Sequence, residues 1–179
     1  KICANCASEK PYFDKARALF VYDNIINTIL YDLKYRDKIF IAKYCAKWLV
    51  NSTNYKIIKE ADIIISVPIH QKRAIKRKYN LSSLIAQSIA KFSGIQYEPN
   101  VLSRVKNTVP QTFLSNKKRL TNLNNAFKVV KPDIIAGKNI LLVDDVVTTG
   151  ATVNNCSKMI KKHNPKSINV VSIARTLIN

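Results

Sequence analysis

The feature that most constrains the fold is the segment of residues 140–152, ILLVDDVVTTGAT. Four large apolar residues are followed directly by Asp144 and Asp145, and then by a turn of small and hydroxyl-bearing residues that opens a helix. An uninterrupted apolar run of this length is typical of a strand buried on both faces of a parallel sheet. Because ligands bind beyond the carboxyl ends of such strands, we predict a binding site at the two carboxylates.

The turn after the carboxylates predicts a phosphate site. Its residues would surround a phosphate with backbone N–H groups at a helix N-terminus and add hydroxyl donors. Carboxylates next to a phosphate site would repel a phosphate ligand. The repulsion is avoided if the ligand carries its phosphate at one end and meets the carboxylates with hydroxyl groups at the other. A ribose does so, because it carries a phosphate at its 5′ end and offers its 2′ and 3′ hydroxyls to the acids. The predicted ligand is a ribose 5-phosphate, held by Asp144 and Asp145 together with Thr148, Thr149, Gly150, Ala151 and Thr152.

The rest of the chain alternates between strand and helix patterns, which predicts an α/β fold with a mostly parallel sheet flanked by helices. Asn80 and Gly94 suit the two ends of one helix. Residues 103–125 are polar, basic and weakly periodic, which predicts a mobile functional loop. The predicted strands are 16–22, 62–68, 127–130, 139–143 and 168–174, and the predicted helices are 24–34, 38–50, 80–92 and 152–162.

The positive charge of the chain is concentrated. The sequence has 30 Lys and Arg against 11 Asp and Glu, a net charge of +19. Lys outnumbers Arg 23 to 7, as in proteins of A+T-rich genomes, so part of the excess reflects composition. Residues 70–131, however, hold 13 Lys and Arg against the single acid Glu98, a local balance of +12. This stretch is predicted to meet an anion, either a sugar phosphate or a nucleic-acid backbone.

The sequence lacks the motifs that are typical of several function classes. The three glycines, Gly94, Gly137 and Gly150, are too widely spaced for a dinucleotide-binding, Walker-type or nucleophile-elbow motif. No apolar run approaches the 18 residues that a membrane span requires, so membrane insertion is not expected. Four cysteines in a chain of this length are too few for a secreted disulfide scaffold, which favours the cytoplasm. Cys45 and Cys156 fall inside predicted helices and are expected to be core thiols.

Residues 143–152, VDDVVTTGAT, closely resemble the phosphoribosyl pyrophosphate loop of type I phosphoribosyltransferases. Outside this loop the resemblance narrows to the ComF family of competence-associated proteins and covers essentially the whole chain. The segments that carry it include FDKAR at 13–17, LKY at 33–35, SVPIH at 66–70, the basic run from Lys72 to Asn80, Arg104 with Gln111, Arg119 with Asn122, and ART at 174–176.

The resemblance implies a type I phosphoribosyltransferase-like domain over residues 13–179, preceded at residues 1–12 by the remnant of an N-terminal zinc-ribbon module. Cys3 and Cys6 would supply half of a Zn²⁺ site. The ligand would be phosphoribosyl pyrophosphate with Mg²⁺, its pyrophosphate facing Lys72 and Arg73. A flexible loop bearing Arg104, Gln111 and Arg119 would close over it.

The family resemblance leaves three functions open. The protein could transfer the phosphoribosyl group, with Asp144 and Asp145 as catalytic residues, and support DNA uptake and processing in natural transformation. It could instead be a non-catalytic module that binds single-stranded DNA on its basic surface, with a competence helicase or another DNA-processing protein as partner. It could also be a regulator that senses phosphoribosyl pyrophosphate. Aromatic residues of the basic stretch could stack on bases or belong to the core: Tyr79, Phe92, Tyr97 and Phe113.

One position departs from the family pattern. The family usually has Gly between Arg77 and the aromatic residue at position 79, where this chain has Lys78. A backbone position that tolerates positive φ is therefore expected to carry a side chain.

Overall fold

A five-stranded parallel sheet forms the centre of the protein. The computed structural model describes residues 10–52, 55–69, 78–105 and 126–176. The strand order is β1-β7-β6-β2-β3, and a separate antiparallel ribbon pairs β4 with β5. The strands are β1 Lys15–Val21, β2 Ile63–Ser66, β3 Gln96–Tyr97, β4 Leu102–Arg104, β5 Phe127–Val129, β6 Asn139–Val147 and β7 Ser167–Arg175.

Helices cover both faces of the sheet and create two apolar cores, which confirms the predicted α/β class. Successive strand residues point to opposite faces. Leu141 and Val143 of β6 therefore face the first core, and Ile140 and Leu142 face the second. The helices are α1 Asn24–Tyr35, α2 Phe40–Asn51, α3 Tyr55–Lys59, α4 Leu81–Ser93 and α5 Ala151–Lys161, with a 3₁₀ turn at Pro132–Ile134. The first core contains α1, α2 and α4, and the second contains α5 and the ribbon.

β6 lies between β2 and β7, so its apolar run has no contact with solvent on either face. The strand is longer than predicted, because pairing with β7 continues past Val143 to Val147. Asp144 pairs in register with Ser172. The two carboxylates therefore lie within the strand and share its rigidity, whereas the sequence predicted that they follow it.

Both predicted ends of α4 are confirmed. The Asn80 side chain accepts a hydrogen bond from the Ser82 N–H and donates one to the Val67 carbonyl at 2.9 Å, which fixes the start of the helix to the end of β2. Gly94 ends the helix with a φ of 74°. This left-handed conformation is strained for residues with a Cβ atom, which explains a glycine at this position.

The predictions for the cysteines, for the strand at 127–130 and for a membrane span can also be compared with the structure. Cys45 and Cys156 are buried helical thiols, as predicted. The strand predicted at 127–130 belongs to the ribbon instead of the main sheet. Cys3 and Cys6 lie outside the described residues, so the zinc-ribbon remnant and its boundary at residue 12 remain predictions. None of the helices in the described ranges has the length and apolar character needed to cross a membrane.

Lys78 has a φ of 63°, so the backbone keeps the left-handed conformation although the side chain is not glycine. We predict that Lys78→Gly raises the free energy of unfolding by about 0.5–1 kcal/mol, because the strain of a Cβ atom is removed. The ion pair that is lost, between Lys78 and Asp37, is exposed and 3.4 Å long, and contributes little. Urea unfolding measures the change.

The matched control is Lys91→Gly in the last turns of α4, where the same substitution is expected to destabilise by about 0.5–1 kcal/mol. Equal effects of the two substitutions would contradict the assignment of strain to Lys78.

Candidate functional site

The two carboxylates of β6 occupy different environments. The Asp144 side chain is buried, with 6% of the residue exposed. It accepts hydrogen bonds from the Ser82 hydroxyl at 3.1 Å and from the Asp145 N–H at 2.9 Å. Asp144 is therefore anchored to the first turn of α4, beneath the surface of the site.

Asp145 forms an ion pair with Lys34 near the end of α1, with 2.6 Å between the Lys34 Nζ and the Asp145 Oδ2 atoms. Both side chains are about one-fifth exposed. Asp145 also accepts a hydrogen bond from the Val146 N–H at 2.8 Å. Of the two carboxylates, Asp145 is the one that solvent and a ligand can reach.

These environments move the two pKa values in opposite directions. Burial, and then the negative charge of Asp145, raise the pKa of Asp144 well above its usual value. Burial would raise the pKa of Asp145 as well, but the charge and hydrogen bond of Lys34 outweigh it and hold the pKa of Asp145 below its usual value. The site thus presents one carboxylate whose ionised form Lys34 stabilises beside another whose ionised form burial disfavours.

The predicted phosphate turn follows on the same strand. Thr148 and Thr149 are exposed. Gly150 has a φ of 76° and precedes α5, whose first turn contains no acidic residue. The N–H groups of a first helical turn have no acceptors within the helix, and the helix dipole adds partial positive charge there. The turn therefore has the backbone features that an anion site requires, and its role as a phosphate site stays a prediction.

Thr176, the residue that follows β7, holds this turn in place. After β7, Thr176 donates a side-chain hydrogen bond to the Thr148 carbonyl at 3.0 Å and a backbone one to the Val147 carbonyl at 3.1 Å. At the start of the turn's helix, the Thr149 hydroxyl accepts from the Ala151 N–H at 3.4 Å. The turn is therefore fixed on a packed framework at the carboxyl edge of the sheet.

Comparisons with known proteins identify the family and agree with the fold. Residues 81–177, more than half of the chain, match the phosphoribosyl transferase domain family. Competence protein F of Haemophilus influenzae is 32% identical over 178 residues, which cover 97% of this chain and 78% of that protein. DNA utilization protein YhgH of Escherichia coli K12 is 28% identical over 179 residues, with 98% and 78% covered.

The chain is a member of the ComF family and carries a phosphoribosyl transferase domain. Among solved structures, the glutamine phosphoribosylpyrophosphate amidotransferase of B. subtilis is similar in fold, with a TM-score of 0.50 at 23% identity. The similarity covers 74% of the ComF chain, which spans about a quarter (26%) of the amidotransferase chain. The type I phosphoribosyltransferase fold predicted from the sequence is confirmed.

One residue predicted for the flexible loop of this ComF protein lies elsewhere. Arg104 belongs to β4, where it pairs with Phe127 of β5, and its guanidinium lies 5.4 Å from the centre of the Phe127 ring. Strand pairing and stacking on the ring hold Arg104 in place, so its assignment to a flexible loop was wrong. Phe127 belongs to the second core together with Cys156 of α5, so Arg104 lies on the α5 side of the sheet.

The remaining predicted site residues lie outside the described part of the chain: Lys72, Arg73, Gln111 and Arg119, together with Cys3 and Cys6. Their assigned roles stay predictions. Within the described ranges no group of three or more His, Cys, Asp or Glu side chains is arranged to hold a metal ion.

Two site residues were missed by reasoning from the sequence. Lys34 was noted only as part of the LKY segment, and Ser82 only as part of a helix. The position of Ser82 could have been found, since it follows the predicted cap Asn80 of a helix that begins beside the central strand. The partner of Lys34 is 111 residues away in the sequence, and no local pattern indicates it.

The asymmetry of the acidic pair predicts opposite effects of the two amide substitutions on stability. A carboxyl group whose pKa rises on folding destabilises the folded state once the pH exceeds its ordinary pKa of about 4. Asp144→Asn removes this effect, so the variant should exceed the wild type in free energy of unfolding at pH 7, and the difference should vanish towards pH 3. Urea unfolding across this pH range measures it.

Asp145→Asn should behave in the opposite way, because it leaves the partly buried Lys34 ammonium without its partner. We expect a loss of about 1–3 kcal/mol at pH 7 that shrinks as the pH falls through the lowered pKa of Asp145. Asp133→Asn, an exposed acid in the 3₁₀ turn, is the control. A stabilising Asp145→Asn would refute the assigned charge states.

Proposed function

We propose that this ComF-family protein binds phosphoribosyl pyrophosphate with Mg²⁺ at the carboxyl edge of its sheet. The observation that supports this most is the placement of an ionised, accessible Asp145 on the same strand as an open turn at a helix N-terminus. A carboxylate and an anion site so joined suit a ligand that carries hydroxyl groups at one end and a phosphate at the other.

Each part of the site has a proposed role. Residues 148–152 bind the 5′-phosphate through backbone N–H and hydroxyl groups. Asp145 accepts hydrogen bonds from the ribose hydroxyls. Asp144, which is buried and bonded to Ser82, orients the end of β6. Lys72 and Arg73, which follow β2 in the sequence, are proposed to neutralise the pyrophosphate.

The donor set of the site fits Mg²⁺. In proteins Mg²⁺ binds through one or two carboxylates together with substrate phosphates and water, and Asp145 supplies one such carboxylate. When bound, the ion neutralises negative charge on the pyrophosphate. Lys34 contacts the Oδ2 atom of Asp145 and a carboxylate has further acceptor positions, so the ligand would share Asp145 with Lys34.

We propose phosphoribosyl transfer as the chemistry of this site. An acceptor would form a bond to C1 of the ribose while the bond to pyrophosphate breaks, through a transition state with positive charge on the ribose ring. Asp145, ionised and close to the ribose, would stabilise that charge, because preorganised charges in a partly enclosed site act strongly on a transition state.

The names of the relatives support a role in the handling of DNA. The chain resembles proteins called competence protein F and DNA utilization protein over nearly its whole length. We propose that the protein supports DNA uptake or use in the cytoplasm, with DNA-processing proteins as partners.

The site predicts a specific loss of ligand binding in Asp145→Asn. Isothermal calorimetry with phosphoribosyl pyrophosphate and Mg²⁺ should show saturable binding to the wild type and an affinity at least about tenfold weaker in this variant, because charge-assisted hydrogen bonds to the ribose are lost. Asp133→Asn should bind like the wild type.

Equal affinity in Asp145→Asn and the wild type would overturn the ribose assignment. Absence of binding to the wild type at millimolar ligand would overturn the proposed function itself. Binding without turnover of any acceptor would favour a sensing role over phosphoribosyl transfer.

A further inference from the structure

Three aromatic residues form an exposed row on α2. Phe40, Tyr44 and Trp48 follow one another at intervals of four residues and are 61%, 55% and 52% exposed. Residues four apart lie on one side of a helix, and the row extends over about 12 Å, or about two helical turns. The opposite side of α2 packs into the first core, which anchors the helix without these rings. Three large rings in solvent on one face indicate a binding surface.

The rings of this row are perpendicular to their neighbours. The ring centres of Phe40 and Tyr44 lie 6.5 Å apart, with an angle of 90° between the ring planes. Trp48 meets the half-buried ring of Phe20 in the same way, at 6.0 Å and 88°. Perpendicular rings form ridges and hollows instead of a series of parallel platforms. Such a surface suits apolar side chains that fit between the ridges, because the centre of a protein interface is packed as closely as a protein interior.

Positive charge accompanies the rings. Lys43 and Lys47 are exposed beside them, and with Tyr44 and Phe92 they line a surface cleft of about 250 Å³ between α2 and the end of α4. Neither helix contains an Asp or Glu, and Lys91 adds a third exposed lysine next to Phe92. We call the following residues the α2 aromatic face: Phe40, Lys43, Tyr44, Lys47, Trp48 and Phe92.

The charge of this face selects its occupant. Lysines at the rim of an interface attract carboxylates and repel a surface of like charge. A second copy of the chain is disfavoured, because it would bring the same lysines together in a protein with a net charge of +19. The face therefore fits an occupant that offers apolar side chains to the rings and acidic side chains to the lysines.

We propose that the α2 aromatic face docks an acidic amphipathic helix of another protein. In this mode of recognition, apolar residues spaced three and four positions apart on the docked helix enter an apolar groove. A row of about two turns accommodates about three such residues, and the cleft beside Tyr44 and Phe92 receives one of them. Asp or Glu residues on the flanks of the docked helix meet Lys43 and Lys47. The rings contribute most of the affinity, and the lysines accelerate association.

This face is remote from the proposed phosphoribosyl site. Ser82, which bonds to Asp144, and Phe92, which lines the cleft, lie in the first and last turns of α4. They are separated by about 15 Å along the helix axis. The docking proposal therefore does not rest on the proposed function, and the two sites can be tested independently.

Photo-crosslinking in the cells that produce the protein identifies the occupant. Tyr44→benzoylphenylalanine should crosslink to a protein whose attached segment, mapped by mass spectrometry, is acidic and has apolar residues at intervals of three and four. The matched control is Tyr12→benzoylphenylalanine: Tyr12 is 44% exposed and lies against Lys158 of α5, on the other side of the sheet. The control should not capture that segment.

A synthetic peptide with the sequence of the captured segment measures the affinity. Trp48 is the sole tryptophan of the chain, so its emission should shift to shorter wavelengths when the peptide removes the ring from water. Tyr44→Ala should weaken binding at least about tenfold, because an aromatic anchor is lost. Lys43→Gln/Lys47→Gln should lower the association rate and its dependence on salt concentration. Tyr12→Ala should bind the peptide like the wild type.

Four outcomes would overturn the proposal. Crosslinks from position 44 to nucleic acid would assign the face to a nucleic-acid strand, and crosslinks to this same chain would assign it to a second copy. A captured segment without acidic residues would contradict the role of the lysines. Absence of any crosslink specific to position 44 would show that no helix docks on the face.

Discussion

The ion pair between Lys34 and Asp145 is the interaction on which the carboxyl edge of the sheet depends. β6 is covered on both faces over most of its length, and two adjacent carboxylates in its second half would be costly if both were ionised. Lys34 compensates one charge, and burial favours the neutral form of the other. A strand that is rigid enough to position a ligand can in this way carry acidic groups.

This ion pair requires the end of α1 to lie against the edge, and the contacts around it hold it there. The Tyr79 hydroxyl donates a hydrogen bond to the Leu33 carbonyl, next to Lys34. Tyr79 itself immediately precedes Asn80, the cap of α4, whose second residue Ser82 bonds to Asp144. The two carboxylates are thus held through one connected set of contacts that joins α1, α4 and β6. A shift of α1 would alter the electrostatics of the site without touching the strand itself.

Local signals in the sequence predicted the elements that position this site. The apolar run of β6, the cap Asn80 and the terminal Gly94 each act within a few residues, so their patterns are readable without the fold. The short elements α3 and β3 were missed because they are only five and two residues long and carry no period. Lys34 and Arg104 were missed or misplaced for another reason, since their roles depend on partners far away in the sequence.

The ribbon of β4 and β5 has a consequence for how this family can diversify. The Val105 N–H donates a hydrogen bond to the Ala126 carbonyl at 2.8 Å, so the two ends of the connection between β4 and β5 are held together. The entropy of closing a flexible segment between two fixed ends grows only slowly with its length, by about 0.6 kcal/mol for each doubling. The ribbon therefore allows the length of the connection between Val105 and Ala126 to vary among relatives while the sheet keeps the same geometry.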